Sequence, residues 1–196
     1  MNEPLIIEFL VKTGFSRRHC KAELGLVPAE TDFQVREWLG GKGLFLWGEP
    51  GRGKTYIAAA LVREWLLKNE DRYIGMDSGE RRLWRPIEYV STVDLFQALR
   101  SSFQNKTDSY IIVEGYIRAK SLILDDIGAE IARDWTLDTL HTIIDRRYRD
   151  MRQTFIISNL SLDALAERVG DRITSRIAEM CSKVVELKGK DRRLEK

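Results

Sequence analysis

The stretch Gly48-Glu49-Pro50-Gly51-Arg52-Gly53-Lys54-Thr55 decides the fold of this chain, because it fits the pattern G-x-x-x-x-G-K-[ST]. The apolar run 44–47 before it predicts a strand. After it, Ile57, Leu61 and Trp65 recur at the i, i+4, i+8 spacing of a helix face. A glycine-rich turn in this position directs successive backbone N–H groups inward, and the following helix N-terminus adds partial positive charge. The sequence therefore predicts a phosphate-binding loop; the alternative is a glycine-rich turn that binds nothing.

The residues of this loop, together with Tyr56 directly after it, are the predicted nucleotide contacts. Lys54 would reach the β- and γ-phosphates of ATP, and Thr55 would supply a hydroxyl to Mg²⁺. ATP and Mg²⁺ are accordingly the predicted ligands.

The predicted strand 121–125 ends in two carboxylates, Asp125 and Asp126, about 70 residues after the loop. In P-loop ATPases an acid at this strand end holds Mg²⁺ through its water shell, and a neighbouring acid can orient the attacking water. We assign the first role to Asp125 and the second to Asp126. The alternative is a solvated acidic strand end.

A further strand, 154–158, is followed by Asn159. An asparagine at the carboxyl edge of an open α/β sheet can hydrogen-bond the γ-phosphate or the attacking water. It could instead simply start the turn before Ser161, which is positioned to cap the next helix.

Two arginines, Arg172 and Arg176, lie four residues apart and therefore on one face of a predicted helix. An arginine on a surface can complete a neighbouring subunit's ATP site as an arginine finger. The alternative is a solvated pair that bonds to Asp171 or Glu179.

Strand and helix patterns alternate from Gly43 onward, which predicts an α/β protein with a parallel sheet. After the first βα unit, strands are predicted at 87–91, 121–125, 154–158 and 183–187, and helices at 93–103, up to 118, 137–149, 162–169 and 173–180. Two short helices are predicted within residues 1–40.

These elements resemble, in order and spacing, the AAA+ ATPases of the bacterial helicase loader clade, the DnaC-like and IstB-like proteins. The resemblance runs from about Gly41 to Arg193. It includes features less general than the phosphate loop: Leu124-Asp125-Asp126-Ile127-Gly128-Ala129-Glu130, Asp145-Arg146-Arg147-Tyr148, Ile157-Ser158-Asn159-Leu160-Ser161, Gly170-Asp171-Arg172-Ile173-Thr174-Ser175-Arg176 and Glu186-Leu187-Lys188-Gly189-Lys190-Asp191.

The resemblance implies a three-layer αβα P-loop NTPase fold with a five-stranded parallel sheet of order 5-1-4-3-2. Because the chain stops soon after the last predicted strand, we expect the helical lid of the family to be minimal or absent here. It places Asn159 at sensor 1 and matches Arg176 to the arginine finger, with Arg172 beside it. ATP would then bind between adjacent protomers of a homo-oligomer. Asp126 stands where many AAA+ proteins carry the longer Glu, although this clade often has Asp.

By the same resemblance, the helical segment 93–118 helps bind single-stranded DNA. Arg100 and Lys106 are its available cations, and Phe103 is its available stacking group.

We expect a division into residues 1–40, a short N-terminal helical extension and possible adaptor, and residues 41–196, the ATPase core. The insertion from Asn69 to Arg85 has no counterpart that we can match in the clade. The two cysteines, Cys20 and Cys181, lie too far apart in sequence to form a zinc motif with the two histidines. No run approaches the roughly 18 apolar residues of a membrane span, and the N-terminus lacks signal-peptide features, so we expect a cytoplasmic protein without a membrane partner.

The predicted function is a Mg²⁺-dependent ATPase of DNA replication that loads a replicative helicase onto single-stranded DNA. One alternative keeps the same ATPase and attaches it to a transposase, as IstB-like proteins do. A second is a P-loop kinase of small molecules, and a third is a nucleotide-gated DNA-binding module with negligible turnover.

Overall fold

A computed structural model of the chain describes residues 2–26, 29–69, 86–104, 109–129 and 134–191. Five parallel strands form one sheet in the order β2-β3-β4-β1-β5. The strands are β1 (Gly43–Trp47), β2 (Ile87–Ser91), β3 (Ser121–Ile127), β4 (Gln153–Ser158) and β5 (Cys181–Glu186). Read from the opposite edge, this is the predicted order 5-1-4-3-2, so the predicted fold class is confirmed.

Helices join the strands and cover both faces of the sheet. They are α1 (Glu3–Thr13), α2 (Ala29–Val35), α3 (Lys54–Lys68), α4 (Thr92–Gln104), α5 (Ser109–Arg118), α6 (Asp134–Arg149), α7 (Leu162–Val169) and α8 (Asp171–Met180). Short 3₁₀ turns lie at Arg17–His19, Leu24–Leu26 and Arg36–Gly40. Within the described ranges, no helix is both long and apolar enough to cross a membrane.

Two hydrophobic cores lie on opposite faces of the sheet, because successive side chains of a strand point to opposite sides. In β1, Leu44 and Leu46 belong to the core that contains α1 and α3, whereas Phe45 belongs to the core of α4, α6 and α8. In β4, Ile156 likewise faces away from its neighbours Phe155 and Ile157. Strands buried on both faces need these uninterrupted apolar runs.

The N-terminal residues contribute to the first of these cores. Ile6, Leu10 and Phe15 are at most 3% exposed and lie with β1 and α3 in one cluster. Arg63 of α3 pairs with Glu3 of α1. The N-terminal residues are therefore packed against β1 and α3, and the role of residues 1–40 as an adaptor stays a prediction.

Several element boundaries differ from the predicted ones, among them the start of α6, which begins at Asp134 instead of residue 137. β3 continues past Asp125 to Ile127, because a register shift after Leu124 lets Ile127 pair with Ser158. β5 begins at Cys181, which pairs with Gly43 ahead of another register shift. Helix α8 begins directly after Gly170, whose φ of 87° separates it from α7. The predicted cap is present: Ser161 Oγ accepts a hydrogen bond from the Ala164 N–H at 3.3 Å.

Candidate nucleotide-binding site

A cleft of about 850 Å³ opens at the carboxyl edge of the sheet, where open α/β sheets bind ligands. Its walls come from the loop after β1, from the ends of β2, β3 and β4, and from the N-terminal 3₁₀ turn. The lining residues are Arg18, His19, Pro50, Gly51, Gly53, Lys54, Thr55, Tyr56, Tyr89, Ser91, Asp94, Asp125, Asp126 and Asn159. The lining therefore includes both basic and acidic side chains.

The predicted phosphate loop connects β1 to α3, which begins at Lys54. Gly53 has a φ of 93°, in the left-handed region that glycine adopts without steric cost. A Cβ atom at Gly48 would lie 2.5 Å from the Leu187 carbonyl oxygen, so only glycine fits there. Within the loop, Glu49 and Arg52 form an ion pair. The loop geometry therefore depends on glycine at the positions that the motif requires.

Lys54 holds its ammonium group against the loop and is only 8% exposed. Its Nζ donates to the carbonyl oxygens of Gly48 at 2.6 Å and Glu49 at 2.9 Å, and to Asn159 Oδ1 at 2.7 Å. A buried cation needs such partners, and phosphate oxygens are acceptors of the same kind.

Asp125 is 6% exposed and accepts three hydrogen bonds. Thr55 Oγ1 and the Tyr89 hydroxyl donate to Oδ2 at 2.7 and 2.8 Å, and the Asp126 N–H donates to Oδ1 at 2.7 Å. Burial, together with the charge of Asp125, raises the pKa of Tyr89 far above its usual range, so its hydroxyl stays a donor.

The oxygens of Thr55 and Asp125 fit Mg²⁺, which prefers hard oxygen ligands. In nucleotide sites this ion is held by one or two protein groups plus substrate phosphates. The described part of the chain has no cluster of three or more His, Cys, Asp or Glu that could hold a metal.

Asp126 and Asn159 are joined, because Asn159 Nδ2 donates to Asp126 Oδ1 at 2.6 Å. Asn159 thereby bridges Lys54 and Asp126. Asp126 has a φ of 60°, rare for a residue other than glycine, and Thr92 Oγ1 donates to its carbonyl oxygen at 2.9 Å. Such a conformation persists only where its surroundings fix it, and here it directs the Asp126 carboxylate to the cleft.

The arginine pair lies on α8, and neither Arg172 nor Arg176 lines the cleft of its own chain. Arg176 pairs with Asp145 of α6 at 2.5 Å, and its Nη1 lies 3.1 Å from His141 Nε2. Its guanidinium also lies over the Tyr148 ring, 5.8 Å from the centroid.

Glu179, one of the two acids that the sequence offered as a partner for the arginine pair, accepts a hydrogen bond from the Tyr148 hydroxyl. Arg172 is exposed. Arg176 is therefore held by α6, a partner that spacing along α8 does not indicate.

Of the three predicted DNA contacts, Arg100 and Phe103 lie one turn apart on α4 and are both exposed. The Phe103 ring is 62% exposed and touches the edge of the Trp135 ring, with centroids 6.2 Å apart. Lys106 lies outside the described residues, as do residues 70–85 of the insertion. A DNA-binding role for these residues stays a prediction.

Sequence reasoning missed the residues that surround the acids and the outer wall of the cleft. Tyr89 and Thr92 bond to Asp125 and Asp126, and Arg18 and His19 reach the cleft from the N-terminal turn. Strand register, which the sequence does not show, brings Tyr89 to the acid: it lies two residues before Ser91, which pairs with Asp125, so the side chains of Tyr89 and Asp125 face the same side of the sheet. Arg18 and His19 belong to a basic cluster in the sequence with Arg17 and Lys21, but nothing in the sequence places that cluster at the phosphate loop.

A phosphate loop between β1 and α3, acids at the end of β3 and a polar side chain after β4 together define an AAA+ P-loop protein that binds ATP. Comparison with known families agrees, since the profile described as "IstB-like ATP binding protein" matches residues 37–196. The chain belongs to this family, which confirms the resemblance seen in the sequence.

Two individual relatives are named as replicative helicase loaders. The replicative helicase loader DnaC of Escherichia coli K12 is 23% identical over 163 residues, covering 82% of this chain and 60% of the relative. The replicative helicase loader DnaI of Bacillus subtilis 168 is 33% identical over 150 residues, covering 74% of this chain and 42% of the relative. This chain thus matches 60% or less of the length of either relative.

Among solved structures, a crystal structure of the DnaC helicase loader superimposes with a TM-score of 0.70 at 25% identity. The match covers 88% of this chain and all of that one.

Proposed function

We propose that this protein is a Mg²⁺-dependent ATPase that acts in DNA replication and loads a replicative helicase onto single-stranded DNA. The observation that carries the ATPase assignment is the continuous hydrogen-bond chain from the phosphate loop through Lys54 and Asn159 to Asp126. The names of the relatives, replicative helicase loaders, support the choice of pathway and partner.

Five polar side chains of the cleft, together with the loop amides, have a task in the hydrolysis of ATP by water to ADP and phosphate. The loop amides and Lys54 bind the phosphates, while Thr55 and Asp125 would hold Mg²⁺, which neutralises phosphate charge when bound. The Asp126 carboxylate accepts a hydrogen bond from the attacking water, and Asn159 fixes the orientation of that carboxylate. Proton transfer from that water to Asp126 is the step that these residues prepare.

Arg176 completes the site of a neighbouring protomer in this proposal, because it does not line the cleft of its own chain. A guanidinium from a neighbour stabilises charge that develops on the transferred phosphoryl group. The ATP sites would then lie between copies of the chain, and Asp145 would have to share or release Arg176 on assembly.

A mixing experiment tests this arrangement. Lys54→Ala and Arg176→Ala proteins should each hydrolyse no ATP, while Arg176→Ala should still bind it. Mixed together, they should regain hydrolysis, because the first supplies an intact Arg176 to the intact loop of the second.

As the matched control, the Lys54→Ala/Arg176→Ala double variant should rescue neither single variant. Failure of the two single variants to complement each other, with both folded, would contradict a shared site. Loss of ATP binding in Arg176→Ala would instead place that arginine within its own subunit.

The partner assignment is tested by co-purification of the protein with a replicative helicase in the presence of ATP, with a transposase as comparison. We expect helicase binding, and ATP hydrolysis that rises with single-stranded DNA and with protein concentration. Capture of only the transposase would favour the transposition alternative. Phosphate transfer to a small molecule would favour a kinase, and nucleotide-dependent DNA binding without turnover would favour a gated module.

A further inference from the structure

Tyr89 contacts the predicted metal-binding acid from a neighbouring strand. Its hydroxyl donates to Asp125 Oδ2 at 2.8 Å, and Thr55 donates to the same oxygen at 2.7 Å. Tyr89 lies on β2 and Thr55 on α3, so two separate elements hold one carboxylate oxygen.

The three donors restrict the rotation of Asp125. A carboxylate offers about four lone-pair sites, and Thr55, Tyr89 and the Asp126 N–H occupy three of them. Donors around a metal-binding carboxylate orient it and tune its affinity for the ion. Tyr89 is therefore placed to fix the direction of the remaining lone pair of the Asp125 carboxylate, which is the one available to a metal ion.

The N-terminal segment in turn holds Tyr89. The Phe15 ring stacks on the Tyr89 ring, with centroids 4.2 Å apart and planes inclined by 28°. Phe15 is 3% exposed, and a Cβ at the preceding Gly14 would lie 2.3 Å from the Tyr89 carbonyl oxygen. The end of α1 thus lies directly against the Tyr89 position of β2.

The geometry points to Tyr89 as a positioning residue for Asp125, held by Phe15, through which the N-terminal segment influences Mg²⁺ binding. The inference rests on the proposed ATPase function and adds a structural link from residues outside the motifs to the metal site. A partner that displaced the end of α1 would then change the affinity of the protein for Mg²⁺ with nucleotide.

The test compares the dissociation constant of a fluorescent ATP analogue in excess Mg²⁺ with that in EDTA. The dissociation constant in EDTA divided by that in excess Mg²⁺ reports metal binding independently of turnover. Tyr89→Phe keeps the stacked ring and should reduce this ratio by about tenfold, the loss typical of a missing partner of a metal ligand, with little change in EDTA. Phe15→Leu should reduce it by about threefold, since stacking is lost while the hydroxyl remains.

Tyr148→Phe is the matched control, because it removes a hydroxyl that bonds to Glu179 outside the cleft, and its ratio should equal that of the wild type. A wild-type ratio near one would overturn the ATPase proposal and this inference with it. If the wild-type ratio is well above one, the positioning role alone would be overturned by either of two results for Tyr89→Phe. One is an unchanged ratio, and the other is nucleotide binding that weakens equally in Mg²⁺ and in EDTA. An unchanged Phe15→Leu ratio beside a reduced Tyr89→Phe ratio would overturn the link to the N-terminal segment.

Discussion

Lys54 holds its charge among three oxygen acceptors that belong to the loop and to β4's end. Two are carbonyl oxygens of Gly48 and Glu49, and the third is the side-chain oxygen of Asn159. When a phosphate oxygen replaces one of these acceptors, its hydrogen bond to the ammonium group is strong, since charge-assisted hydrogen bonds are about twice as strong as neutral ones.

We expect Lys54→Ala to weaken ATP binding by about 2 kcal/mol or more, because hydrogen bonds to a charged group are lost. Titration with a fluorescent nucleotide measures the change. Lys68→Ala, at the exposed end of the same helix, is the control and should bind as the wild type does. Tight binding by Lys54→Ala would contradict the phosphate-loop assignment.

Asp126→Asn should lower the hydrolysis rate by about 10²-fold or more, the usual contribution of a general base, and leave ATP binding intact. The amide keeps the size of the side chain but accepts a proton poorly. Phosphate release under saturating ATP measures the effect, with exposed Asp163→Asn as the control. A variant that hydrolyses ATP at the wild-type rate would exclude Asp126 from the reaction.

Helices α5 and α6 are joined by two arginines of α6 that are adjacent in sequence and differ in environment. Arg147 is fully buried and donates to the carbonyl oxygens of Tyr116, Ile117 and Ala119 at the end of α5. Arg146 is partly exposed and makes two hydrogen bonds to Glu114, at 2.7 and 2.9 Å. The first arginine satisfies helix-end carbonyls, and the second forms an ion pair between the helices.

Replacing Arg147 by Met should cost about 3 kcal/mol of unfolding free energy, because buried carbonyl oxygens lose their donor. Urea denaturation measures the loss. On the same helix, Arg149→Met removes an exposed side chain and should change stability by about 0.5 kcal/mol or less. Equal losses of unfolding free energy for the two substitutions would show that the hydrogen bonds of Arg147 to the end of α5 do not stabilise the protein.

Glu114→Gln should destabilise the protein at neutral pH, and the difference should shrink in acid. The hydrogen bonds from Arg146 and Arg118 lower the pKa of Glu114 below its ordinary value of 4.5. Its contribution is therefore complete above that value and is lost as the pH falls through the lower folded-state pKa. Urea midpoints of both proteins at pH 7 and pH 3.5 test this, and a constant difference across that range would contradict it.

The whole molecule folds around a sheet whose first core includes the N-terminal residues. Leu10 of α1 is as completely buried as Leu61 of α3, although the family profile begins at residue 37. Truncation of a buried leucine costs both its transfer free energy and the cavity that remains.

Leu10→Ala should therefore cost about 2–5 kcal/mol, in the same range as Leu61→Ala. The control is Leu5→Ala, since Leu5 lies on the same helix but is 49% exposed and should matter little. Chemical denaturation followed by two spectroscopic probes should give one transition for all variants. A separate early transition, sensitive only to Leu10, would show that the N-terminal segment folds independently of the core.

The amino-acid sequence alone determined the α/β class, the succession of strands and helices, and the phosphate loop with its acids. These features are encoded locally, by apolar periodicity, by glycines at positions of positive φ and by side chains at strand ends. The same local signals predicted the cap at Ser161 and the separation of the helices 162–169 and 173–180. The resemblance to helicase loaders added the strand order, which local patterns do not contain.

Only the tertiary structure decided which partners those residues have. Tyr89 and Asp125 lie 36 residues apart in sequence, and Lys54 and Asn159 lie 105 apart. Both pairs meet because the ends of β2, β3 and β4 and the start of α3 lie at the same edge of the sheet. The burial of Arg147, the pairing of Arg176 with Asp145 and the packing of α1 against α3 have the same origin. Contacts of this kind depend on how segments distant in sequence pack together. Neither periodicity nor residue type specifies which of those segments meet.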